Sequence, residues 1–254
     1  MRGIILAAGR GSRLGPLTES RPKCLVPLAG RPLLAWQRAA LNAGGITDVA
    51  VVAGYRADLV AGQGLPVFTA GRWAQTNMVG SLLAATPWLT AGPCVVSYAD
   101  IVYSPRTVRR LAAARAELAV AYDRDWLELW SRRFADPLDD AETFRMGADG
   151  TLREIGGKPR TVAEVEGQYM GLLRFTPVAW AAVQRLLDGL VPRRRDELDM
   201  TGLLQALIDA GEPVGTVPCS GAWAEVDSAD DLAVGEELVR RGRLVFAGDP
   251  EVNR

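Results

Sequence analysis

The chain of 254 residues contains no histidine. This absence excludes a Ser-His-Asp triad, a Cys-His dyad and any zinc or iron site with histidine ligands. An enzyme made from this sequence must therefore work with carboxylates, lysine, arginine and a hard metal ion. Transfer of phosphoryl or nucleotidyl groups suits that set, because positioning and charge neutralisation do most of the work in such reactions.

Other scarcities narrow the class of protein. The three cysteines, Cys24, Cys94 and Cys219, lack metal-ligand spacing, so we expect buried, reduced thiols. No apolar run reaches the roughly 18 residues of a membrane span, and the start lacks the layout of a signal peptide. A net charge of -1 argues against nucleic acid as a partner. We expect a cytoplasmic protein that binds neither membrane nor nucleic acid.

A glycine-rich loop follows the first predicted strand, Arg2 to Ala7, and extends to Pro22. Glycines of this kind let a backbone approach phosphate closely. The loop lacks the Gly-Lys-Ser/Thr of a P-loop, and Leu14 occupies the sixth position of a dinucleotide fingerprint. It nevertheless carries Arg13 and ends next to Lys23, two cations that can hold a triphosphate. We interpret it as a phosphate-binding loop in which Lys23 is solvated.

Strands and helices alternate through the first half of the chain, which predicts an α/β fold with a mostly parallel central sheet and helices on both faces. A turn signal at Asp149-Gly150 predicts a hairpin over Thr143 to Ile155, on the side expected to bind the acceptor. We expect one Rossmann-like domain over residues 1–241, with a nucleotide-binding half (1–122) and an acceptor-binding half (123–241). Residues 242–254 are predicted to form a loose tail.

Two aspartates follow predicted strands: Asp100 ends VVSYAD, and Asp227 follows AEV. Ligands of open α/β sheets bind beyond the carboxyl ends of the strands, so both side chains could share one ion. Mg²⁺ prefers one or two carboxylates together with phosphate oxygens and water. The alternative is that Asp100 caps a loop and Asp227 the last helix. Beside a phosphate-binding loop we favour the metal site.

The opening LAAGRGSRLGPLTESRPKCLVPLAGRPLL resembles the sugar-nucleotide-type nucleotidyltransferases, whose pattern is L-A-A-G-x-G-x-R-L followed by P-K-x-L-x-P. WAQTNMVGSLLAA, SYAD, EIGGKP, GQYMGLLRF and AEVDSADDL extend the resemblance over most of the chain. WAQTNMVGSLLAA is similar to the base-reading segment of the family, in the form found in the branch that acts on phosphocholine or small phosphonates with CTP. The resemblance thus implies a nucleotidyltransferase fold and a cytidylyltransferase activity.

The resemblance also implies roles for individual residues. The nucleotide would be bound by Leu6, Ala7, Ala8, Gly9, Gly11, Gln75, Asn77 and Ser81. Arg13 and Lys23 would bind the triphosphate, and Lys158 would meet the acceptor's phosphate or phosphonate. Asp100 and Asp227 would hold Mg²⁺. Tyr169 belongs to the acceptor strand, where this chain has Gly-Gln-Tyr in place of the family's frequent Gly-Glu-Tyr.

The stretch AYDRDWLELWSRRFADP suggests how the acceptor is recognised. Trp126 and Trp130 would share one face of a helix, next to Asp125. Aromatic faces beside carboxylates bind ammonium groups, whereas Arg133 would favour a second anionic group. The alternative is that both tryptophans cover the core.

The expected reaction is Mg²⁺-dependent transfer of CMP from CTP to a small phosphonate or phosphoalcohol, with release of pyrophosphate. An acceptor phosphate is already anionic near neutral pH, so no general base is required. Two alternatives stay open: a sugar-1-phosphate uridylyl- or thymidylyltransferase, and a non-catalytic nucleotide-binding regulator. Monomer and homodimer stay open as well.

Overall fold

A seven-stranded sheet forms the centre of the protein. The computed structural model describes residues 1–219 and 222–249. Its thirteen strands are β1 Arg2–Ala7, β2 Pro27–Leu28, β3 Arg31–Pro32, β4 Val49–Ala53, β5 Val67–Thr69, β6 Cys94–Tyr98, β7 Ile101–Tyr103, β8 Leu118–Asp123, β9 Phe144–Met146, β10 Leu152–Ile155, β11 Gln168–Phe175, β12 Val214–Cys219 and β13 Trp223–Glu225. The main sheet has the order β12-β8-β11-β6-β1-β4-β5. Only β11 runs antiparallel to its neighbours. The predicted, mostly parallel α/β sheet is confirmed.

Helices cover both faces of this sheet. They are α1 Leu33–Ala43, α2 Ala57–Ala61, α3 Met78–Leu82, α4 Thr86–Ala91, α5 Pro105–Ala112, α6 Trp126–Arg133, α7 Pro177–Asp188, α8 Pro192–Glu197, α9 Met200–Asp209 and α10 Ala229–Arg240. Alternate residues of a strand point to opposite faces. Ile5 accordingly joins the core under α1, α5, α6 and α10. Ile4 joins the core under α3, α7 and α9.

Small sheets lie at the edges of the main one. β9 and β10 pair antiparallel and form the predicted hairpin, with Gly150 at a φ of 75° in the turn. A second pair joins β13 to β7, antiparallel, with Glu225 opposite Ile101. The sequence did not indicate this pairing, because both strands are only three residues long. It brings the end of β13 to the turn that follows β6.

The end of the chain differs from the predicted loose tail as far as the structure describes it. Leu244 is buried against the core. The Phe246 ring packs edge-on against Trp36 at 5.1 Å, and the Arg31 guanidinium lies 4.0 Å from the Phe246 ring centre. Arg31 also pairs with Asp249 at 2.6 Å. These contacts anchor residues 244–249, while residues 250–254 of the predicted tail lie outside the described residues.

The three cysteines are buried and free, as predicted. Burial raises the pKa of the Cys24 thiol to about 12 and that of Cys94 to about 11. Thiols of this kind stay protonated and act as small apolar side chains. No helix in the described part of the chain is long and apolar enough to cross a membrane.

Candidate active site

The glycine loop is built around a close approach between Gly11 and Lys23. Gly11 has a φ of 74°, and a Cβ at this position would lie 2.7 Å from the Cβ of Lys23. The Thr18 hydroxyl donates to the Gly11 carbonyl at 3.0 Å, which fixes the loop's path. Glycine is therefore required here both for the left-handed conformation and for space.

Backbone pairing brings Asp100 and Asp227 to one place. Asp100 lies two residues beyond β6, and Asp227 lies two residues beyond β13. The Val226 amide donates to the Asp100 carbonyl at 2.8 Å and so continues the pairing of β13 with β7. The two aspartates meet at the carboxyl end of β6, next to the loop after β1.

Lys23 bridges the two aspartates. Its Nζ donates to Asp100 Oδ2 at 2.8 Å and to Asp227 Oδ1. Arg13 Nη1 pairs with Asp227 Oδ2 at 2.7 Å, although 71% of the Arg13 side chain is exposed. Burial lowers the pKa of Lys23, but attraction to the two carboxylates outweighs burial, and the pKa lies above its ordinary value. The lysine is charged, and only 12% of its side chain is exposed, which corrects the expectation of a solvated residue.

The donor set fits Mg²⁺. Asp100 Oδ1 is buried and has no hydrogen-bond partner among the described residues, so this carboxylate has an oxygen left to ligate an ion. Within residues 1–219 and 222–249, no group of three or more Asp, Glu, Cys or His side chains is arranged to hold a metal. Two carboxylates are enough for Mg²⁺, which takes its remaining ligands from substrate phosphates and water.

A cavity of about 280 Å³ opens beside this centre. We call it the acidic cavity. Its lining includes residues of β11, of the segment before β9 and of the start of α9. Arg13, Tyr98, Asp140, Glu142, Gln168 and Asp199 are among the residues that line it. Since Arg13 and Asp227 also border the cavity, a bound molecule can reach the loop and the aspartates from it.

A family model described as the MobA-like NTP transferase domain matches residues 3–155. The chain belongs to this family. It is 36% identical to the CTP:phosphoglutamine cytidylyltransferase of Campylobacter jejuni, over 92% of this chain and 98% of that one. It is 35% identical to the CMP-5'-(3-aminopropyl)phosphonate synthase of Streptomyces rubellomurinus, over 91% of this chain and 36% of that longer protein. The resemblance to the cytidylyltransferase branch is confirmed, and the protein is a nucleotidyltransferase enzyme.

A solved structure shares the fold. The inositol-1-phosphate CTP transferase from T. maritima superposes with a TM-score of 0.75 over 94% of this chain and 95% of its own, at 18% identity. At that identity the likeness supports the fold and not the substrate. The predicted nucleotidyltransferase fold is thereby confirmed.

The predicted nucleotide-binding residues line the loop and the segment before α3. Leu6, Ala7 and Ala8 are buried at the end of β1, and Gly9 is exposed just beyond them. Gln75 is exposed and Ser81 is buried. Asn77 caps α3, because its side chain accepts from the Met78 amide at 2.8 Å and donates to the Glu197 carbonyl. Their contacts with a nucleotide stay predictions, and for Asn77 a structural role is visible.

The predicted aromatic face for the acceptor is wrong in its main part. α6 forms and the two tryptophan rings do share one face, 6.3 Å apart, but this face packs into the core. Trp126 is 3% exposed and its indole donates to the Val165 carbonyl at 3.0 Å. Asp125 borders a different, smaller cavity with Glu128. Of the three residues, only Trp130 lines the acidic cavity.

Arg133 is also misassigned as an acceptor-binding residue. Its side chain is 1% exposed, and its guanidinium pairs with Glu225 and Asp231, both at 2.7 Å. It stacks over the Trp130 ring at 4.6 Å. Asp231 in turn accepts from the Asp227 amide at 3.0 Å. Arg133 therefore positions the Asp227 turn from behind and is not available to a substrate.

Lys158 and Tyr169 lie on the acceptor side. Lys158 is exposed, and its Nζ donates to the carbonyls of Leu138 and Asp139. These two residues directly precede Asp140, which lines the acidic cavity. A contact between Lys158 and the acceptor stays a prediction. Tyr169 lines the acidic cavity, as an acceptor-binding residue should, and its ring packs edge-on against Tyr98 at 5.8 Å.

Sequence reasoning missed several residues of the site. Gln37 is fully buried on α1, and its amide donates to the carbonyls of Tyr98 and Ile101, so it clamps the turn that carries Asp100. Glu142 and Asp199 line the acidic cavity but lie outside every recognisable motif. The only available signal was a glutamine in the middle of an apolar helix, because a buried amide needs partners.

Proposed function

We propose that the enzyme transfers CMP from CTP to a small phosphonate or phosphoalcohol, with Mg²⁺ held by Asp100 and Asp227. The observation that carries the proposal is the meeting of Arg13 and Lys23 with these aspartates beside the acidic cavity, which Arg13 and Asp227 line. Two cations for a triphosphate, two carboxylates for a metal and a cavity for an acceptor then lie together. The similarity to a CTP:phosphoglutamine cytidylyltransferase and a CMP-5'-(3-aminopropyl)phosphonate synthase supports CTP and a phosphorylated or phosphonate acceptor.

In the proposed reaction, an oxygen of the acceptor's phosphate or phosphonate attacks the α-phosphorus of CTP. The new oxygen–phosphorus bond forms as the bond from the α-phosphorus to the β-bridging oxygen breaks, and pyrophosphate leaves with that electron pair. The attacking oxygen is already anionic near neutral pH, so no proton has to be removed. The absence of histidine is compatible with this chemistry.

The chain's own residues counter the repulsion between two anions. Arg13, exposed at the loop, can grip phosphate oxygens with its planar fork, while Lys23 supplies a point charge. Both are held in place before the substrate arrives by their pairs with Asp227. Preorganised charges of this kind stabilise the developing charge of the transition state. Mg²⁺, when bound, would neutralise further phosphate charge.

The test is pyrophosphate release from CTP, UTP, dTTP, ATP and GTP, each with Mg²⁺ and a panel of phosphonates, phosphoalcohols and sugar 1-phosphates. We expect CTP to be preferred, because a wrong base leaves hydrogen-bonding groups unpaired in its pocket. Preference for UTP or dTTP with a sugar 1-phosphate would contradict the proposal.

The matched pair of variants is Asp227→Asn and Asp230→Asn. Asp227→Asn should lower kcat/KM by about two orders of magnitude or more, since metal charge offsets several kcal/mol of the barrier. Asp230 is exposed in the first turn of α10 and should tolerate the change. Near-normal turnover of Asp227→Asn would remove this residue from the metal site.

A further inference from the structure

The acidic cavity carries more negative than positive charge, although the Gly202 amide donates to Asp199 Oδ1 at 2.8 Å at the N-terminus of α9. Five carboxylates and one guanidinium line it. Glu225 and Asp227 have cationic partners in Arg133, Lys23 and Arg13. Asp140, Glu142 and Asp199 form no ion pair with any residue in the described part of the chain, and they face the same space.

Two buried polar groups of the same cavity also lack partners. Gln168 is 7% exposed and Trp130 is 1% exposed, and both line the cavity. Neither Gln168 Oε1 nor Trp130 Nε1 has a hydrogen-bond partner among the residues that the structure describes. Buried polar atoms are normally paired, and a missing partner points to a ligand or water. Gln168 Oε1 can accept a hydrogen bond from a ligand, and the Trp130 indole N–H can donate one.

The pKa of Glu142 reflects the negative charge of the acidic cavity. Burial, and then the negative charges of Asp199 and Asp140, raise the pKa of Glu142 to about 7. A cation placed among these three groups would relieve the repulsion that raises this pKa.

We infer that the acceptor carries a primary ammonium group, held by Glu142, Asp140 and Asp199 together with the Gln168 amide oxygen. This inference rests on the proposed function, because it takes the acidic cavity as the acceptor's site. The phosphate or phosphonate end of the acceptor then lies toward Arg13, and the ammonium end toward the start of α9. The unpaired Trp130 N–H would meet an oxygen of the same molecule.

The chemistry of the pocket favours a primary over a quaternary ammonium. A primary ammonium has three N–H donors, which match the carboxylates and the unpaired amide oxygen. A trimethylammonium has no donor and would leave Gln168 Oε1 unpaired, at the cost that any buried unpaired acceptor carries.

The experiment measures both binding and turnover. Calorimetry gives the affinity for phosphates and phosphonates whose ammonium is two to four carbons from the phosphorus-bearing end, for their methyl-terminated isosteres, and for phosphocholine. Pyrophosphate release with CTP gives kcat/KM for the same panel. We expect the best amine to exceed its isostere and phosphocholine by about tenfold or more in both measurements.

Variants locate the effect. Glu142→Gln should remove most of the preference for the amine and leave the KM for CTP and the affinity for the isostere nearly unchanged. Gln168→Met, which keeps the shape and removes the acceptor, should do the same to a smaller degree. Glu236→Gln is the control, because Glu236 is exposed on α10 and does not line the acidic cavity.

The outcomes separate the two proposals. Selective binding of the amine without turnover of CTP would overturn the proposed function and keep the ammonium site. Turnover with an isostere or phosphocholine as the best acceptor, or an unchanged preference in Glu142→Gln, would overturn the ammonium site and keep the function. Failure of every amine in the panel to bind would also count against the site.

Discussion

At the scale of single residues, the sequence identifies the charged groups of the site but not their partners. Arg13, Lys23, Asp100 and Asp227 were predicted from motifs, and the structure brings all four together. That Lys23 would be largely buried between two carboxylates was not visible, because the second carboxylate comes 204 residues later. Removing Lys23 should therefore affect folding as well as turnover, since it leaves two carboxylates facing each other.

Gly11 offers a sharper test of the loop. Gly11→Ala introduces a Cβ that collides with Lys23, and it also places alanine at a φ of 74°. Gly64→Ala is a matched control, because Gly64 has a φ of 71° and open space where its Cβ would be. Left-handed backbone costs roughly 1–2 kcal/mol for a residue with a Cβ, so both variants should lose stability in thermal melts, and Gly11→Ala should lose more because of its collision with Lys23.

Only Gly11→Ala should also lose turnover. We expect kcat to fall by about two orders of magnitude, because displacement of a positioned charge by 1 Å can cost this much. The measurement is pyrophosphate release at saturating nucleotide, corrected for the folded fraction. Equal turnover in the two variants would mean that Lys23 need not approach the loop as the structure has it.

At the scale of secondary structure, the hydrophobic pattern predicts where helices and strands form, but it predicts poorly which of their faces meets the core. The strand before Asp100 was predicted from its apolar run and the acceptor strand from GQYMGLLRF, and both form, as β6 and β11. α6 was predicted as a helix with one aromatic face. Whether such a face meets the core or a ligand depends on what packs against it, and here Trp223 and α10 cover it. Spacing alone could not decide this.

The ion pairs that Arg133 of α6 forms with Glu225 and Asp231 lead to a prediction about stability. Arg133→Met leaves the buried Asp231 and the partly buried Glu225 without their cation, which costs about 3–5 kcal/mol. Because 1 kcal/mol corresponds to about 2–4 °C in a domain of this size, the melting temperature should fall by roughly 10 °C.

The neighbouring Arg132→Met is the control for that variant. Arg132 pairs with Glu128 one turn away on the exposed side of α6, an interaction worth about 0.3–0.5 kcal/mol. Circular dichroism melts of both variants, with and without CTP, provide the measurement. Similar melting temperatures for Arg132→Met and Arg133→Met would contradict the buried role assigned to Arg133.

At the scale of the whole molecule, the net charge does not indicate the negative electrostatic field of the acidic cavity. The chain carries a net charge of -1, and this near balance gave no hint of a cavity whose charged lining consists of five carboxylates and one guanidinium. The field arises because the segment before β9, the end of β13 and the start of α9 bring their carboxylates to one cavity. Such a convergence is a property of the topology, which the order of elements indicates only in outline.

This field should make stability depend on pH. Glu142 loses its proton near its ordinary pKa of 4.5 in the unfolded chain but at about 7 in the folded one. Between these values the folded state binds more protons, so stability falls as pH rises from about 4.5 through 7 and levels off above. The groups that face Glu142 are Asp140 and Asp199, together with Tyr98 and Tyr169, whose pKa values burial raises well above 10.

The Glu142→Gln variant isolates this contribution, because glutamine imitates the protonated acid at every pH. Subtracting its melting temperature from that of the wild type cancels the titration of other groups. We expect this difference to become more negative by several degrees between pH 5 and 8, since the full shift corresponds to at most about 3 kcal/mol. Glu236→Gln, at an exposed position of α10, is the control and should leave the melting temperatures nearly unchanged. A difference that stays constant or rises with pH would show that Glu142 is not held in a negative field.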